Sequence, residues 1–283
     1  MLQLPSPLVD VNWLHDNLHA SQLIILDASV PPVVPGYESL NSEECFLAIS
    51  GARRFDYDKK ICKQDSSLPH MMPGADLFQE EVRKLGINSD SVIVIYDDVG
   101  LYSSPRAWWM LRAMGHEQVA VLDGGLRAWI AAGFATTDSL SLNLPAGNFS
   151  ANYDENSFCD FSIVLSSLDD SSCAILDARS SGRFHGTAPE PRAGIRGGHM
   201  PNARNLPFPN LLNEGTMKPV AELQEIFSEF ITDEERLITS CGSGLTACIL
   251  TFAAYLAGHR SHSVYDGSWI EWGAPSKLPV VTD

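Results

Sequence analysis

Short apolar runs alternate with helical segments along the chain. In the first half, runs rich in β-branched residues at 23–26, 92–96 and 119–122 are typical of buried parallel strands. Between the last two, residues 104–115 open with Ser-Pro and close with Gly, which predicts a helix. The second half has strand-like runs at 174–176, 237–240 and 263–265, and a helical segment at 245–256 that ends near Gly258. This alternation predicts an α/β fold with helices on both faces of mainly parallel sheets.

The two halves also repeat each other in sequence. Residues 25–29 (ILDAS) recur as 175–179 (ILDAR), and 51–53 (GAR) match 202–204 (NAR). Asp-Gly-Gly before Trp129 returns as Asp-Gly-Ser before Trp272 with the same spacing. Two copies of one fold are therefore expected. We predict domains at 1–140 and 158–283, joined by a polar linker at 141–157.

Composition limits the partners. The 283 residues suit two domains, and a net charge of -16 repels nucleic acid and anionic membranes. An anionic substrate would then need a local group of arginines. Residues 1–10 lack Lys, Arg and a long apolar run, which predicts no secretory signal. The uncharged stretch at 237–258 is interrupted by a Cys-Gly-Ser-Gly turn, so the rest is too short for the roughly 20 residues of a membrane span.

Cysteine usage indicates the compartment. The six cysteines form neither a CxxC pair nor a zinc-type spacing with histidine. We therefore expect free thiols in a reducing, cytoplasmic setting, with no metal and no cofactor.

Cys241 differs from the other five because it follows a predicted strand and precedes a glycine-rich turn and a helix. Backbone N–H groups of such a turn, together with the helix N-terminus, stabilise a thiolate or a persulfide anion. The alternative is a buried cysteine beside a tight turn. Alignment of the two copies places Cys241 opposite Asp97 or Asp98, so one copy lacks the nucleophile. A cysteine phosphatase needs an Arg six positions later, where Ala247 stands, which disfavours phosphoryl chemistry.

The loop at 241–246 (CGSGLT) resembles the active-site loop of the rhodanese-like sulfurtransferases, specifically the Cys-Gly-Ser-Gly-Val-Thr type of the 3-mercaptopyruvate sulfurtransferases. The resemblance extends over nearly the whole chain, including 100–109 (GLYSSPRAWW) and 198–201 (GHMP). It implies tandem rhodanese-like domains. It also implies transfer of sulfur from 3-mercaptopyruvate through a Cys241 persulfide to a small thiol, cyanide or a thioredoxin-type acceptor, with release of pyruvate.

The resemblance also implies which residues form the site. Arg183 and Arg192 match the family positions that bind the carboxylate and the keto group of the substrate. The planar guanidinium of arginine can meet a carboxylate with two parallel hydrogen bonds. Proton movement is assigned to Ser243, His70 and Asp58, with Asp56 as the fallback because the spacing between Asp58 and His70 is one residue longer than the family pattern. His199 is expected to be structural. The remaining substrate-binding positions implied are those of the loop: Gly242, Gly244, Leu245 and Thr246.

The sequence leaves two other functions open. A thiosulfate sulfurtransferase is the competing enzyme, although the resemblance implies Arg and Lys within the loop of such enzymes, and this loop is uncharged. A non-catalytic rhodanese-like sulfur carrier or binding module is the rival of another class. The presence of Cys241, Arg183 and Arg192 favours an enzyme.

Overall fold

The computed structural model describes residues 2–42, 44–142, 144–232 and 235–282. Asn143, in the predicted linker, lies outside the described residues. The contacts divide the chain into two compact units. The first comprises Met1–Gln64 and Met72–Asp154, and the second comprises Asp65–Met71 and Glu155–Asp283.

The first unit has a five-stranded, all-parallel sheet with the strand order β1-β6-β5-β2-β4, and a short antiparallel pair formed by β3 and β7. Its elements are β1 (Leu8–Val9), α1 (Val11–Asn17), β2 (Leu23–Asp27), β3 (Ala48–Ile49), β4 (Arg53–Arg54), α2 (Ala75–Lys84), β5 (Val92–Tyr96), α3 (Ser104–Ala113), β6 (Val119–Leu122), α4 (Gly125–Ala131) and β7 (Thr136–Thr137).

The second unit repeats this parallel sheet with the order β10-β9-β13-β14-β8 and adds a small hairpin of β11 and β12. A 3₁₀ turn at Phe208–Leu211 precedes β11. The elements are β8 (Phe158–Cys159), α5 (Phe161–Ser167), β9 (Cys173–Asp177), α6 (Ser181–Phe184), β10 (Arg204–Asn205), β11 (Leu212–Asn213), β12 (Thr216–Met217), α7 (Val220–Ser228), β13 (Arg236–Ser240), α8 (Ala247–Ala257), β14 (His262–Tyr265) and α9 (Ser268–Trp272).

The predicted elements are confirmed with small differences at their ends. β5 is buried at every position, as its uninterrupted apolar sequence requires. α3 ends before Gly115, which has a φ of +86° and terminates the helix. α8 begins two residues later than predicted, because residues 245 and 246 belong to the loop after Cys241. It ends at Gly258, whose φ is +112°.

α8 is the most apolar helix, and its residues 247–254 are all buried. It packs against β13, β14 and α7. The polar side chains in that stretch are those of Cys248 and Thr251, and the Thr251 hydroxyl forms a hydrogen bond with the Thr239 hydroxyl at 2.8 Å. Across the described ranges, no helix is both long enough and apolar enough to cross a membrane.

The repeated tryptophans occupy equivalent positions in the two cores. Trp129 packs with the apolar residues of the first sheet, and its indole N–H donates to the Ala135 carbonyl at 2.9 Å. Trp272 packs in the second core and donates to the Pro279 carbonyl at 2.7 Å.

The polar stretch after Trp129 includes β7 and the buried Phe149, and it groups with the first unit as far as Asp154. The domain and linker boundaries stay a prediction.

Candidate active site

Cys241 is the first residue after β13, and its side chain is 1% exposed. The turn that follows leads directly into α8, and Gly244 allows it to close because its φ is +77°. The first turn of α9 holds the backbone on the other side. The N–H of Trp269 donates to the Cys241 carbonyl, and that of Ile270 donates to the Gly242 carbonyl, both at 2.9 Å. The nucleophile candidate therefore lies between the starts of two helices.

The equivalent loop of the first unit surrounds the carboxylate of its own first residue, Asp97, with hydrogen-bond donors. Asp97 follows β5 as Cys241 follows β13, and its carbonyl accepts the N–H of Leu126 at 2.9 Å, just as that of Cys241 accepts the N–H of Trp269. This contact identifies Asp97, rather than Asp98, as the counterpart of Cys241. The Asp97 carboxylate accepts five backbone N–H groups at 2.8–3.1 Å and one hydroxyl at 2.6 Å. The five amides belong to Val99, Gly100, Tyr102, Ser103 and Ser104.

Arg183, the third residue of α6, lies against the loop. Its Nη2 atom is 3.0 Å from the position that a Cβ would take at Gly242, so any larger residue there presses on the guanidinium. The side chain is oriented by Glu190, whose Oε2 accepts Nε at 3.1 Å and Nη2 at 2.5 Å. A planar cation is thus held next to the backbone that follows Cys241.

Glu190 connects Arg183 to Arg179, whose side chain is fully buried. Its Oε1 accepts Nη1 of Arg179 at 2.8 Å, and Asp177 accepts the Nε and Nη2 groups of the same guanidinium at 2.6–3.1 Å. Arg179 also lies over the Trp269 ring, with its Cζ 4.1 Å from the ring centre. Burial lowers the pKa of Arg179, but the carboxylates of Asp177 and Glu190 outweigh burial and raise its pKa. Two cations and two anions form one balanced network beside the loop.

The other predicted loop residues lie in the same turn. Ser243 and Thr246 are both 7% exposed, and Leu245 is buried. Cys248, the second residue of α8, is fully buried, and its thiol donates to the Gly244 carbonyl at 3.4 Å. That contact gives Cys248 a structural role beneath the loop.

Arg192 is half-buried and, unlike Arg183, makes no hydrogen bond or ion pair with the part of the chain that the structure describes. It lies two residues after Glu190 in the same segment. Its guanidinium therefore carries a positive charge that no described carboxylate balances.

The predicted proton-transfer residues lie in different units. Residues 65–71, and with them His70, group with the second unit, which also contains Cys241. His70 is half-buried and has a φ of +60°, which is uncommon for a residue with a Cβ. Asp58 and Asp56 are half-buried in the first unit, where Asp56 accepts the N–H of Lys59 at 3.0 Å. The catalytic roles of His70, Asp58 and Ser243 stay predictions.

His199 has the surroundings of a structural residue. Its ring stacks on Phe184 with the ring centres 3.9 Å apart, and its Nδ1 lies 3.0 Å from the Phe184 carbonyl oxygen. Two other residues at the site were not singled out from the sequence, namely Glu190 and Ser268. Glu190 stands between the two predicted arginines, and Ser268 replaces Gly125 in the repeat, so each had a signal.

Tandem parallel α/β units and a buried cysteine in a strand–turn–helix loop define the class of this protein. The model of the "Rhodanese-like domain" family matches residues 10–132 and 161–275. The chain belongs to this family. The prediction of two rhodanese-like domains is confirmed.

The relatives of the chain are sulfurtransferases. It is 39% identical to the human 3-mercaptopyruvate sulfurtransferase over 278 residues, covering 95% of this chain and 93% of that protein. It is 37% identical to the rat thiosulfate sulfurtransferase over 276 residues, covering 94% and 91%. The crystal structure of SseA from Escherichia coli, a 3-mercaptopyruvate sulfotransferase, superposes with a TM-score of 0.80 at 32% identity, covering 93% of this chain and 99% of that one. The chain is a sulfurtransferase of the rhodanese-like family.

Proposed function

We propose that this sulfurtransferase moves sulfur from 3-mercaptopyruvate to a thiol through a persulfide on Cys241. The observation that carries the proposal is the guanidinium of Arg183, held beside Gly242 in the loop that Cys241 begins. A nucleophilic sulfur and a cation that binds carboxylates thus occupy adjacent positions. An α-keto acid with a thiol on its third carbon carries the two matching groups.

In the first half-reaction, the Cys241 thiolate attacks the sulfur of mercaptopyruvate and a sulfur–sulfur bond forms. The carbon–sulfur bond breaks, and its electron pair leaves with the three-carbon fragment as the enolate of pyruvate. A proton then adds to the enolate carbon. We assign the protonation to His70, supported by Ser243 and Asp58, because an imidazole donates protons near neutral pH.

In the second half-reaction, an acceptor thiolate attacks the outer sulfur of the persulfide. The new bond forms as the sulfur–sulfur bond to Cys241 breaks, and the Cys241 thiolate is restored. Small thiols, cyanide or a thioredoxin-type dithiol are suitable acceptors. Pyruvate leaves before the acceptor attacks the persulfide, so ping-pong kinetics are expected.

The Asp97 carboxylate of the first unit supports the idea that the loop after Cys241 stabilises a negative charge. In that unit the same turn gathers five amides around the Asp97 carboxylate. We propose that the turn at 241–246 does the same for the thiolate and the persulfide of Cys241, because both carry a negative charge at the equivalent strand end.

Charge favours mercaptopyruvate over thiosulfate as the donor. The loop at 242–246 has no charged side chain, and the charge of Arg183 is shared with Glu190. Arg183 remains a hydrogen-bond donor for the carboxylate, and Arg192 supplies the positive charge that no described carboxylate balances. A single such charge suits one carboxylate better than a compact dianion. Similarity alone does not choose between the donors, since the human and the rat relative are nearly equally identical.

Replacement of Cys241 tests the mechanism. Cys241→Ser should stay folded and lose sulfur transfer, and it should gain no mass of one sulfur atom when treated with mercaptopyruvate. Cys45→Ser is the matched control, because Cys45 is exposed and lies in the first unit. Cys159 should not compete for sulfur, since burial raises the pKa of its thiol to about 12. Turnover by Cys241→Ser would refute the persulfide mechanism. A wild-type protein that gains sulfur only from another protein would be a carrier.

The donor assignment has a separate test. Pyruvate or sulfite release gives kcat/KM for the two donors, and we expect mercaptopyruvate to be preferred. Arg192→Gln should lower kcat/KM for mercaptopyruvate by about 100-fold, as loss of a charged hydrogen-bonding pair implies, and should affect thiosulfate far less. A preference of the wild type for thiosulfate would make the protein a thiosulfate sulfurtransferase.

We also propose a cytoplasmic location and the linker at 141–157. All six cysteines are free, which is typical of a reducing compartment.

A further inference from the structure

Ser268 has an unfavourable backbone conformation at a fully buried position. It is the first residue of α9, it has no solvent exposure, and its φ is +49°. A side chain in this left-handed region crowds its own backbone, so glycine is the residue that usually occupies it. Strained residues of this kind persist where the surrounding structure holds them, and they cluster at functional sites.

The repeat shows what glycine does at the same position. Gly125 is the counterpart of Ser268, and its φ is +55°. A Cβ on Gly125 would lie 2.3 Å from the Asp97 carbonyl oxygen, so the first unit has no room for a side chain there. The second unit instead has room for a serine, and the fold accepts the strain.

The Ser268 hydroxyl makes two hydrogen bonds. It donates its proton to the Tyr265 carbonyl at 2.8 Å and accepts the backbone N–H of Cys241 at 3.2 Å. Because its single proton is directed at Tyr265, the hydroxyl acts toward Cys241 only as an acceptor. The N–H of Trp269 holds the carbonyl of Cys241 at the same time. Both polar groups of the Cys241 backbone are therefore bound by the first two residues of α9.

We propose that Ser268 is a positioning residue that fixes the backbone of Cys241 and so aims its sulfur into the loop. This inference rests on the proposed function only in taking Cys241 as the sulfur acceptor. Since Ser268 acts on the nucleophile and touches no donor, its loss should slow transfer from every donor equally. A residue that bound substrate would instead change KM for one donor.

Two variants test the proposal against a matched control. Ser268→Gly removes the hydroxyl and relieves the strain, and Ser268→Ala removes the hydroxyl alone and carries the test if the glycine variant does not fold. Asn202→Gly is the control, because Asn202 also has a positive φ, of 61°, and also loses a side-chain hydrogen bond, to the Leu168 carbonyl at 2.7 Å. Among the described residues, it makes no hydrogen bond with Cys241.

We expect kcat of both Ser268 variants to fall about tenfold with mercaptopyruvate and with thiosulfate by the same factor, with KM nearly unchanged. Asn202→Gly should keep wild-type kcat. Wild-type kcat in a Ser268 variant, an equal loss in Asn202→Gly, or a loss confined to one donor would each overturn the proposal. A wild type that uses only thiosulfate would refute the donor assignment and leave the Ser268 test intact.

Discussion

Glu190 is the residue whose replacement should reveal most about the site. It links Arg179 and Arg183, and the exposed fractions of the three side chains are only 5%, 0% and 13%. Glu190→Gln keeps the size of the side chain and one acceptor oxygen. It removes the negative charge and turns an amide NH₂ group toward an arginine donor.

The loss of stability can be bounded from these contacts. Removing one partner of a buried ion pair costs about 3–5 kcal/mol. Gln keeps one acceptor, and Arg179 still has both oxygens of Asp177, so we expect a loss of about 2–3 kcal/mol. The melting temperature of the second unit should fall by about 5–10 °C.

The kinetic effect should differ between the two donors. Without Glu190, the charge of Arg183 is no longer neutralised beside the loop. The Coulomb energy scales with the charge of the donor, so thiosulfate gains about twice as much as mercaptopyruvate. Mercaptopyruvate also loses the fixed orientation of Arg183. We expect the ratio of kcat/KM for thiosulfate to that for mercaptopyruvate to rise by about tenfold.

The assay is initial-rate kinetics with each donor, combined with thermal unfolding. Glu235→Gln is the matched control in the same unit, because Glu235 pairs with Arg204, whose side chain is 46% exposed. That pair should contribute less than about 1 kcal/mol, and its loss should leave both donors unaffected. An unchanged donor ratio in a destabilised Glu190→Gln would refute the electrostatic argument and leave Glu190 a purely structural role.

Two further variants test the first unit. Asp97→Asn should destabilise that unit by about 3 kcal/mol or more in urea unfolding, because an amide cannot satisfy the five N–H donors that the carboxylate accepts, and an unchanged midpoint would contradict the anion-binding role of the turn. Burial lowers the pKa of His116 from its usual value of 6.5, so below that pH the unfolded chain binds a proton that the folded one does not. The contribution of neutral His116 to stability should be complete above pH 6.5 and should decrease as the pH falls, by at most about 1.4 kcal/mol per pH unit. His116→Gln should therefore make the urea midpoint of the first unit less sensitive to acid. An unchanged acid sensitivity would contradict this role.

The repeat and the elements of each unit could be predicted from the sequence because their signals are local. β5 and β6 match the predicted bounds, since an uninterrupted apolar run is typical of a strand that is buried on both faces. Gly115 and Gly258 marked the ends of two helices for the same local reason, because each takes a positive φ there. The strand, cysteine, glycine turn and helix around Cys241 were likewise visible as one continuous segment.

Contacts between distant parts of the chain were decided only by the tertiary structure. The sequence leaves the counterpart of Cys241 open between Asp97 and Asp98. The N–H of Leu126, 29 positions after Asp97, donates to the Asp97 carbonyl, and this contact resolves it. The contact of Ser268 with the Cys241 amide joins residues 27 positions apart. A sequence pattern reports which side chains are buried, but it does not report which buried partners meet. That depends on how the strands and helices pack, and at this site the packing determines where the charges lie.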